Sequence, residues 1–197
     1  GSVDLIAQIE GTRQESKYAA EGTAAHDLAE ECLKTARSPH EYTSNTQFND
    51  HDVTEEMADA VEVYLDHIQS IRAQTKSATE YTERFLQSTR HPEFGGTADY
   101  TSTTDRLCRV VDLKYGQGVV VEVVENPQLL SYALLVAEHH GLFNSMDPQQ
   151  WPDFELTIVQ PRAGHPDGPV RTWRTDYKRI WQHDDDVRNA IKAGNLQ

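Results

Sequence analysis

The segment Gly95 to Gly118, GGTADYTSTTDRLCRVVDLKYGQG, constrains the fold most, because it sets charged residues inside strongly β-forming runs. GGTADYTST (95–103) and LCRVVDLKYG (107–116) are rich in Thr, Val, Tyr and Leu, and a polar turn separates them. They predict an antiparallel hairpin. With Asp105-Arg106 as a two-residue turn, facing positions sum to 211, so Asp99 faces Asp112 and Thr97 faces Lys114. Residues two apart on a strand share a face, which aims Asp99, Asp112 and Lys114 the same way. Directly opposed Cβ atoms lie about 4.5–5.5 Å apart. Two carboxylates there repel, and either one takes up a proton or a cation bridges them. Hard oxygen donors of this kind suit Mg²⁺, Mn²⁺ or Ca²⁺. A solvated charged face is the ordinary alternative. The apolar flanks LCRVVDLK and VVVEVV, and the close approach that Gly95-Gly96 permits, favour a buried site.

The rest of the chain predicts a central mixed sheet flanked by helices, an α/β (mixed α+β) class in one domain. Helices are expected at 16–37, 54–75, 127–141 and 176–194. Gly22-Thr23 is read as an entry turn with Thr23 as cap, and Pro127 and Gly141 as a helix start and stop. Strands are expected at 78–87, 95–103, 107–116, 119–124, 154–161 and 168–175, and a polar loop at 43–52. No apolar run is long enough for a membrane span, and no signal peptide is recognised. Gly1-Ser2 reads as an expression scar, so the natural chain extends further if that is right. The two cysteines, Cys32 and Cys108, suit free thiols in a reducing cytoplasm rather than a disulfide or cysteine metal framework. The net charge of -14 argues against non-specific nucleic-acid binding by a basic surface. A locally basic strip from Glu155 to Trp181 is the exception.

The ordered set G-T-A-D (96–99), D-L-K (112–114) and Q-L-L-S-Y (128–132), with His26 in the upstream helix EGTAAHDLAE, resembles the PD-(D/E)XK nuclease superfamily. Within it these residues look like the RecB-type branch, which includes the Cas4-like and phage exonucleases, over about residues 16 to 181. The resemblance implies a restriction-endonuclease-like core and a metal-dependent DNA nuclease, exonucleolytic and phage-encoded, working in the bacterial host cytoplasm in DNA recombination or processing. It implies one or two Mg²⁺ or Mn²⁺ ions held by His26, Asp99, Asp112 and the Leu113 carbonyl. Lys114 would activate water, and Gln128 and Tyr132 would line the site from one helix face. DNA is the implied partner, with a single-strand annealing or recombination protein and a homo-oligomer as further partners. A structure-selective or nicking endonuclease, or a non-cutting DNA-binding or assembly factor, stays open.

Glu21 and Glu30 are candidate neighbours of His26, and one of Glu80 and Glu83 is expected to face the metals. HDDD (183–186) reads as a solvated face of the last helix. Trp173, Tyr177 and Trp181 read as core or rim packing. Arg162, Arg171 and Arg174 are candidate phosphate contacts, with solvation as the default.

Overall fold

The computed structural model describes residues 17–75, 77–144, 147 and 150–194. Two helices come first, α1 (Lys17–Thr35) and α2 (Glu55–Gln74). α2 begins where its sequence directs. The Thr54 side chain accepts from the Met57 N–H, and Glu55 and Glu56 fill the first turn, where carboxylates suit the positive end of the helix. In α1 the expected entry turn lies inside the helix instead. Thr23 Oγ1 donates back to the Ala19 carbonyl at 3.1 Å, a bond a mid-helix threonine makes without ending the helix. The expected 43–52 loop contains two short paired strands, β1 (Gln47–Phe48) and β2 (His51–Asp52).

The strands β3 (Thr79–Gln87), β4 (Gly95–Thr103), β5 (Leu107–Leu113), β6 (Asp153–Val159) and β7 (Val170–Thr175) form one mixed sheet in that spatial order. Neighbours are antiparallel except β5 and β6, which run parallel. A parallel pair requires a crossover, and α3 (Pro127–His139) supplies it. Residues Leu129 to Ala137 are all buried, the mark of a helix enclosed on every side. The last helix is α4 (Tyr177–Lys192). α3 and α4 cover one face of the sheet over Cys108, Val110, Leu156 and Ile158. α1 and α2 cover the other over Val111, Leu113 and Val159. The architecture is the expected mixed α+β sheet flanked by helices. Among the described residues no helix is long and apolar enough to cross a membrane.

The predicted hairpin register is observed from Tyr100 to Thr103, but the expected pairs Asp99↔Asp112 and Thr97↔Lys114 are not part of the ladder, which ends at Tyr100↔Val111. Every β4–β5 pair, from Tyr100↔Val111 to Thr103↔Cys108, sums to 211, and the Thr104 N–H closes the turn on the Leu107 carbonyl at 2.9 Å.

Two segments depart from expectation. VVVEVV (119–124) is not a strand. Its backbone is held by side chains. Gln160 Nε2 donates to the Val119 carbonyl at 2.8 Å, and Gln160 Oε1 accepts from the Val121 N–H at 3.0 Å. Arg171 donates to the Val121 carbonyl and to Gln160 Oε1, both at 3.0 Å. A β-branched run records only a fit to pleated surfaces; here the backbone polar groups are satisfied elsewhere. Arg171 is therefore a buried clamp rather than a phosphate contact at the surface. In HDDD, Asp184 is fully buried. It pairs with His91 at 2.8 Å, Arg188 at 2.9 Å and Arg90 at 3.3 Å. His183 lies 3.0 Å from Ser131 Oγ, and burial pushes its pKa down to about 4. Only Asp185 and Asp186 are solvated; two arginines and a hydrogen-bonded histidine allow the buried Asp184 that a charge run does not announce. Of the aromatic residues, Trp151, Phe143, Tyr177 and Trp181 pack on one another, and Trp173 packs against the α3 core, as expected.

Candidate active site

The site begins with an irregularity in the sheet. Ala98 packs in the α3 core, whereas Tyr100, two residues on, packs in the α1–α2 core. In a regular strand the two would share a face, so β4 rotates at Asp99. Its neighbour across β3 is Glu83, between the pairs Thr82↔Tyr100 and Arg84↔Ala98, and Glu83 has φ 47°. Left-handed backbone at a residue other than glycine costs about 1–3 kcal/mol and gathers at functional positions.

The rotation brings three side chains from three elements together. His26 Nδ1 of α1 lies 3.4 Å from Glu83 Oε1 and 3.5 Å from Asp99 Oδ1. One potential ligand atom from each of His26, Glu83 and Asp99 lies within 4.8 Å of the other two. Asp99 Oδ2 accepts the Leu113 N–H at 2.7 Å, across from β5. Asp112, only 2% exposed, lies one step beyond the last β4–β5 pair. Its Oδ2 is 3.1 Å from Lys114 Nζ. Lys114 Nζ donates to Gln128 Oε1 at 2.6 Å, and Gln128 Nε2 donates to the Tyr132 hydroxyl at 3.1 Å. The four-residue spacing puts Gln128 and Tyr132 on one face of α3. The Asn126 side chain caps that helix on the Gln128 and Leu129 N–H groups, which fixes the turn that carries Gln128.

The charges are strongly coupled. Burial works against protonating His26, but Asp99, Glu83 and Asp112 outweigh it and raise the imidazole pKa to about 9. Burial raises Asp112 to about 6, with Asp99 adding to the shift and Lys114 opposing it. Asp99 is also held above the usual carboxylate range, by burial and then by Glu83, against His26, Lys114 and the Leu113 N–H. Buried acids of this kind carry a desolvation cost that a bound cation would relieve.

Among the residues read from sequence, the structure gathers His26, Asp99, Asp112, Lys114, Gln128 and Tyr132. Leu113 joins through its N–H. Of the Glu80–Glu83 pair, Glu83 reaches His26 and Glu80 pairs with Arg72 at 2.9 Å. Nothing in the sequence marks a glutamate for left-handed backbone, so alternation alone could not choose. Glu21 and Glu30 do not reach His26: Glu21 faces Arg162 at 3.8 Å, and Glu30 pairs with Lys34 at 2.7 Å. Arg162 is engaged by Glu56 at 2.9 Å, and Arg174 by Glu155 at 2.8 Å.

A model of proteins of unknown function, DUF2800, matches residues 1–194. The chain belongs to the DUF2800 family. Among solved structures, this DUF2800 chain is similar to a candidate exonuclease from Eubacterium rectale, at 12% identity and a TM-score of 0.45, over 97% of this chain and 74% of that one. It is also similar to LHK-Exo in complex with dAMP, at 12% identity and a TM-score of 0.30, over 93% of this chain and 100% of that one. At these values the likeness carries no functional weight.

A cleft of about 950 Å³ opens onto the DUF2800 site, lined by His26, Asp27, Glu83, Lys114, Val119 and Val121 among others. His26 and Glu83 face the cleft and Asp99 stands beside them; this set of two carboxylates and an imidazole, with Asp112 adjoining, suits a divalent cation such as Mg²⁺ or Mn²⁺, and the imidazole tilts it toward Mn²⁺. A cation, a lysine ammonium and an open cleft together can bind a phosphate ester and its attacking water.

Proposed function

We propose that this DUF2800 protein is a metal-dependent DNA nuclease that hydrolyses phosphodiester bonds, acting as an exonuclease in phage DNA recombination or processing. The observation that carries the reading is the meeting of His26, Glu83 and Asp99 beside the buried Asp112–Lys114 pair. The exonuclease and phage assignments rest on the sequence resemblance to RecB-type nucleases. His26, Glu83, Asp99 and Asp112, with the Leu113 carbonyl, would hold one or two Mg²⁺ or Mn²⁺ ions. A divalent ion held there would lower the pKa of a bound water and polarise the phosphoryl oxygen.

The side chains do the rest. Lys114 lines the cleft, so its ammonium can orient the attacking water and donate to a phosphate oxygen. Gln128 accepts from Lys114 and donates to Tyr132, which fixes the Lys114 head at the scissile group. A charged chain of this kind in a buried strand end has no use in a protein that only binds DNA, which disfavours the non-cutting reading.

Lys114→Ala tests the roles. Single-turnover cleavage of a linear duplex in Mn²⁺ should slow about 10²–10⁴-fold, the range of a positioned proton-handling group, while Mn²⁺ binding persists. Unchanged cleavage removes Lys114 from the mechanism; loss of Mn²⁺ binding makes it a structural support of the ligands.

A further inference from the structure

Resting on the nuclease reading, we propose that the backbone N–H groups of Gly116, Gln117 and Gly118 hold the phosphate next to the scissile one, so that this acidic chain grips a DNA strand through uncharged donors. All three residues line the same cleft as His26, Glu83 and Lys114. Gly116 lies two residues beyond Lys114, a reach of at most about 7 Å. The end of β5 that carries the ammonium thus runs straight into this loop. A phosphate held by the loop is a near neighbour of the one at Lys114.

The loop is fastened at both ends and bare in the middle. At its start, Arg162 lies 4.2 Å over the Tyr115 ring. It donates to the Tyr115 carbonyl at 3.4 Å and to Glu56 at 2.9 Å. The Gln117 side chain donates to the same Glu56 oxygen at 3.2 Å. At its end, the buried Gln160 and Arg171 donate to the Val119 and Val121 carbonyls. The carbonyls of 115, 119 and 121 are therefore turned to protein donors. Among the described residues, no acceptor takes the N–H of Gly116, Gln117 or Gly118, and all three residues are exposed. A Cβ built on Gly116 or Gly118 would meet nothing within 4 Å beyond its chain neighbours, so the approach to these amides is open. Gly118 has φ 88°, a conformation that favours glycine. On α1, Gly22 also lines the cleft and also faces open space. An alanine there would suit the helix better by about 1 kcal/mol, yet the glycine keeps the cleft wide opposite no packing partner.

The chemistry favours a phosphate as the occupant. A free N–H needs an acceptor, and an ionised oxygen makes the shorter and stronger bond. Backbone N–H groups are regular phosphate contacts in protein–DNA interfaces. Positive side chains are scarce in this cleft. Lys114 is the one lysine or arginine among the described residues that line it, against Asp27 and Glu83, and the chain carries a net charge of -14. Donors that carry no net charge supply the grip that a basic groove supplies elsewhere.

The test uses the full chain with Mn²⁺ and end-labelled DNA strands. One set carries native phosphodiesters; the other carries one uncharged methylphosphonate at a linkage adjoining the cut one. For the wild type, the neutral linkage should raise KM about 10–100-fold, the range of a hydrogen bond to a charged group, with kcat little changed. Replacing the Gly116 or Gly118 amide by an ester removes one N–H and keeps the residue small. That change should raise KM on the native strand and remove most of the penalty of the neutral linkage. A second readout needs neither turnover nor the ester. In the Asp112→Ala chain with Mg²⁺, the ¹H–¹⁵N signals of Gly116 and Gly118 should move on adding the native strand, and move less with the neutral linkage. A KM that ignores the neutral linkage, or glycine signals that stay still, overturns the phosphate grip while leaving the nuclease reading intact. A wild type that cuts neither strand overturns both.

Discussion

Asp112→Asn should abolish cleavage and at the same time make the metal-free protein more stable. The two effects have one cause. Asp112 is buried, and burial raises its pKa to about 6 from an ordinary value of 3.8. A carboxyl whose folded pKa lies above its unfolded one favours folding only while protonated; that advantage is lost as pH rises from about 4 to about 6. At pH 7 the ionised group therefore costs stability, roughly 3 kcal/mol at 1.36 kcal/mol per unit. Asparagine keeps the shape and removes the charge, though Lys114 loses its counter-ion at 3.1 Å. The net gain expected in chelator at pH 7 is about 2 kcal/mol, or about 4–8 °C in Tm for a chain of this size. At pH 4, where Asp112 is protonated in the wild type, the difference should vanish. Thermal melts at the two pH values check it, and equal Tm values at pH 7 would mean that Asp112 is solvated or already neutral. Cleavage should fall below detection, because the substitution removes a ligand and the charge that orients Lys114.

The second large effect is a proton count. His26, raised to about 9 by Asp99, Glu83 and Asp112 against its burial, carries a proton at pH 7.5. An imidazole ligates a metal only when neutral. Mn²⁺ uptake at pH 7.5 should therefore expel about one proton, and affinity should climb with pH until about pH 9. Calorimetric titration in two buffers of different ionisation heat gives the count directly. His26→Ala should bind more weakly and release none. The same release from His26→Ala would place the proton on another group and remove His26 from the ligand set. The same linkage sets stability without metal: the raised His26 pKa stabilises the fold fully below about pH 6.5, and that contribution is lost as pH rises through about 9.

Much of this was legible in the sequence because it is encoded by short-range rules. The Asp105-Arg106 turn fixed the β4–β5 register from Tyr100 to Thr103, which brings Asp99 and Asp112 to the same end of the hairpin but does not foretell the rotation of β4 at Asp99. The spacing of Gln128 and Tyr132 fixed a shared helix face. What escaped depends on long-range partners. VVVEVV has the composition of a strand, but Gln160 and Arg171 bind its backbone before a ladder can. Asp184 reads as a surface acid until His91 and Arg90 arrive from elsewhere to join its helix neighbour Arg188. Glu83 is the instructive case. The strand before the hairpin offered two glutamates, Glu80 and Glu83, and the choice between them depends on a backbone conformation at position 83 that sequence does not mark.

The most direct test of the central claim is a side-by-side digestion of end-labelled linear duplex, single strand and closed circular DNA, with Mg²⁺ or Mn²⁺ and with chelator, using Asp112→Ala as control. Metal-dependent loss of the linear substrates, with circles intact and the control inactive, is the predicted result. Nicked or linearised circles would keep the metal-dependent chemistry and replace the exonuclease by an endonuclease. Cleavage that survives chelator or Asp112→Ala, or no cleavage of any DNA, would contradict the assignment of this cleft as a metal-dependent nuclease site.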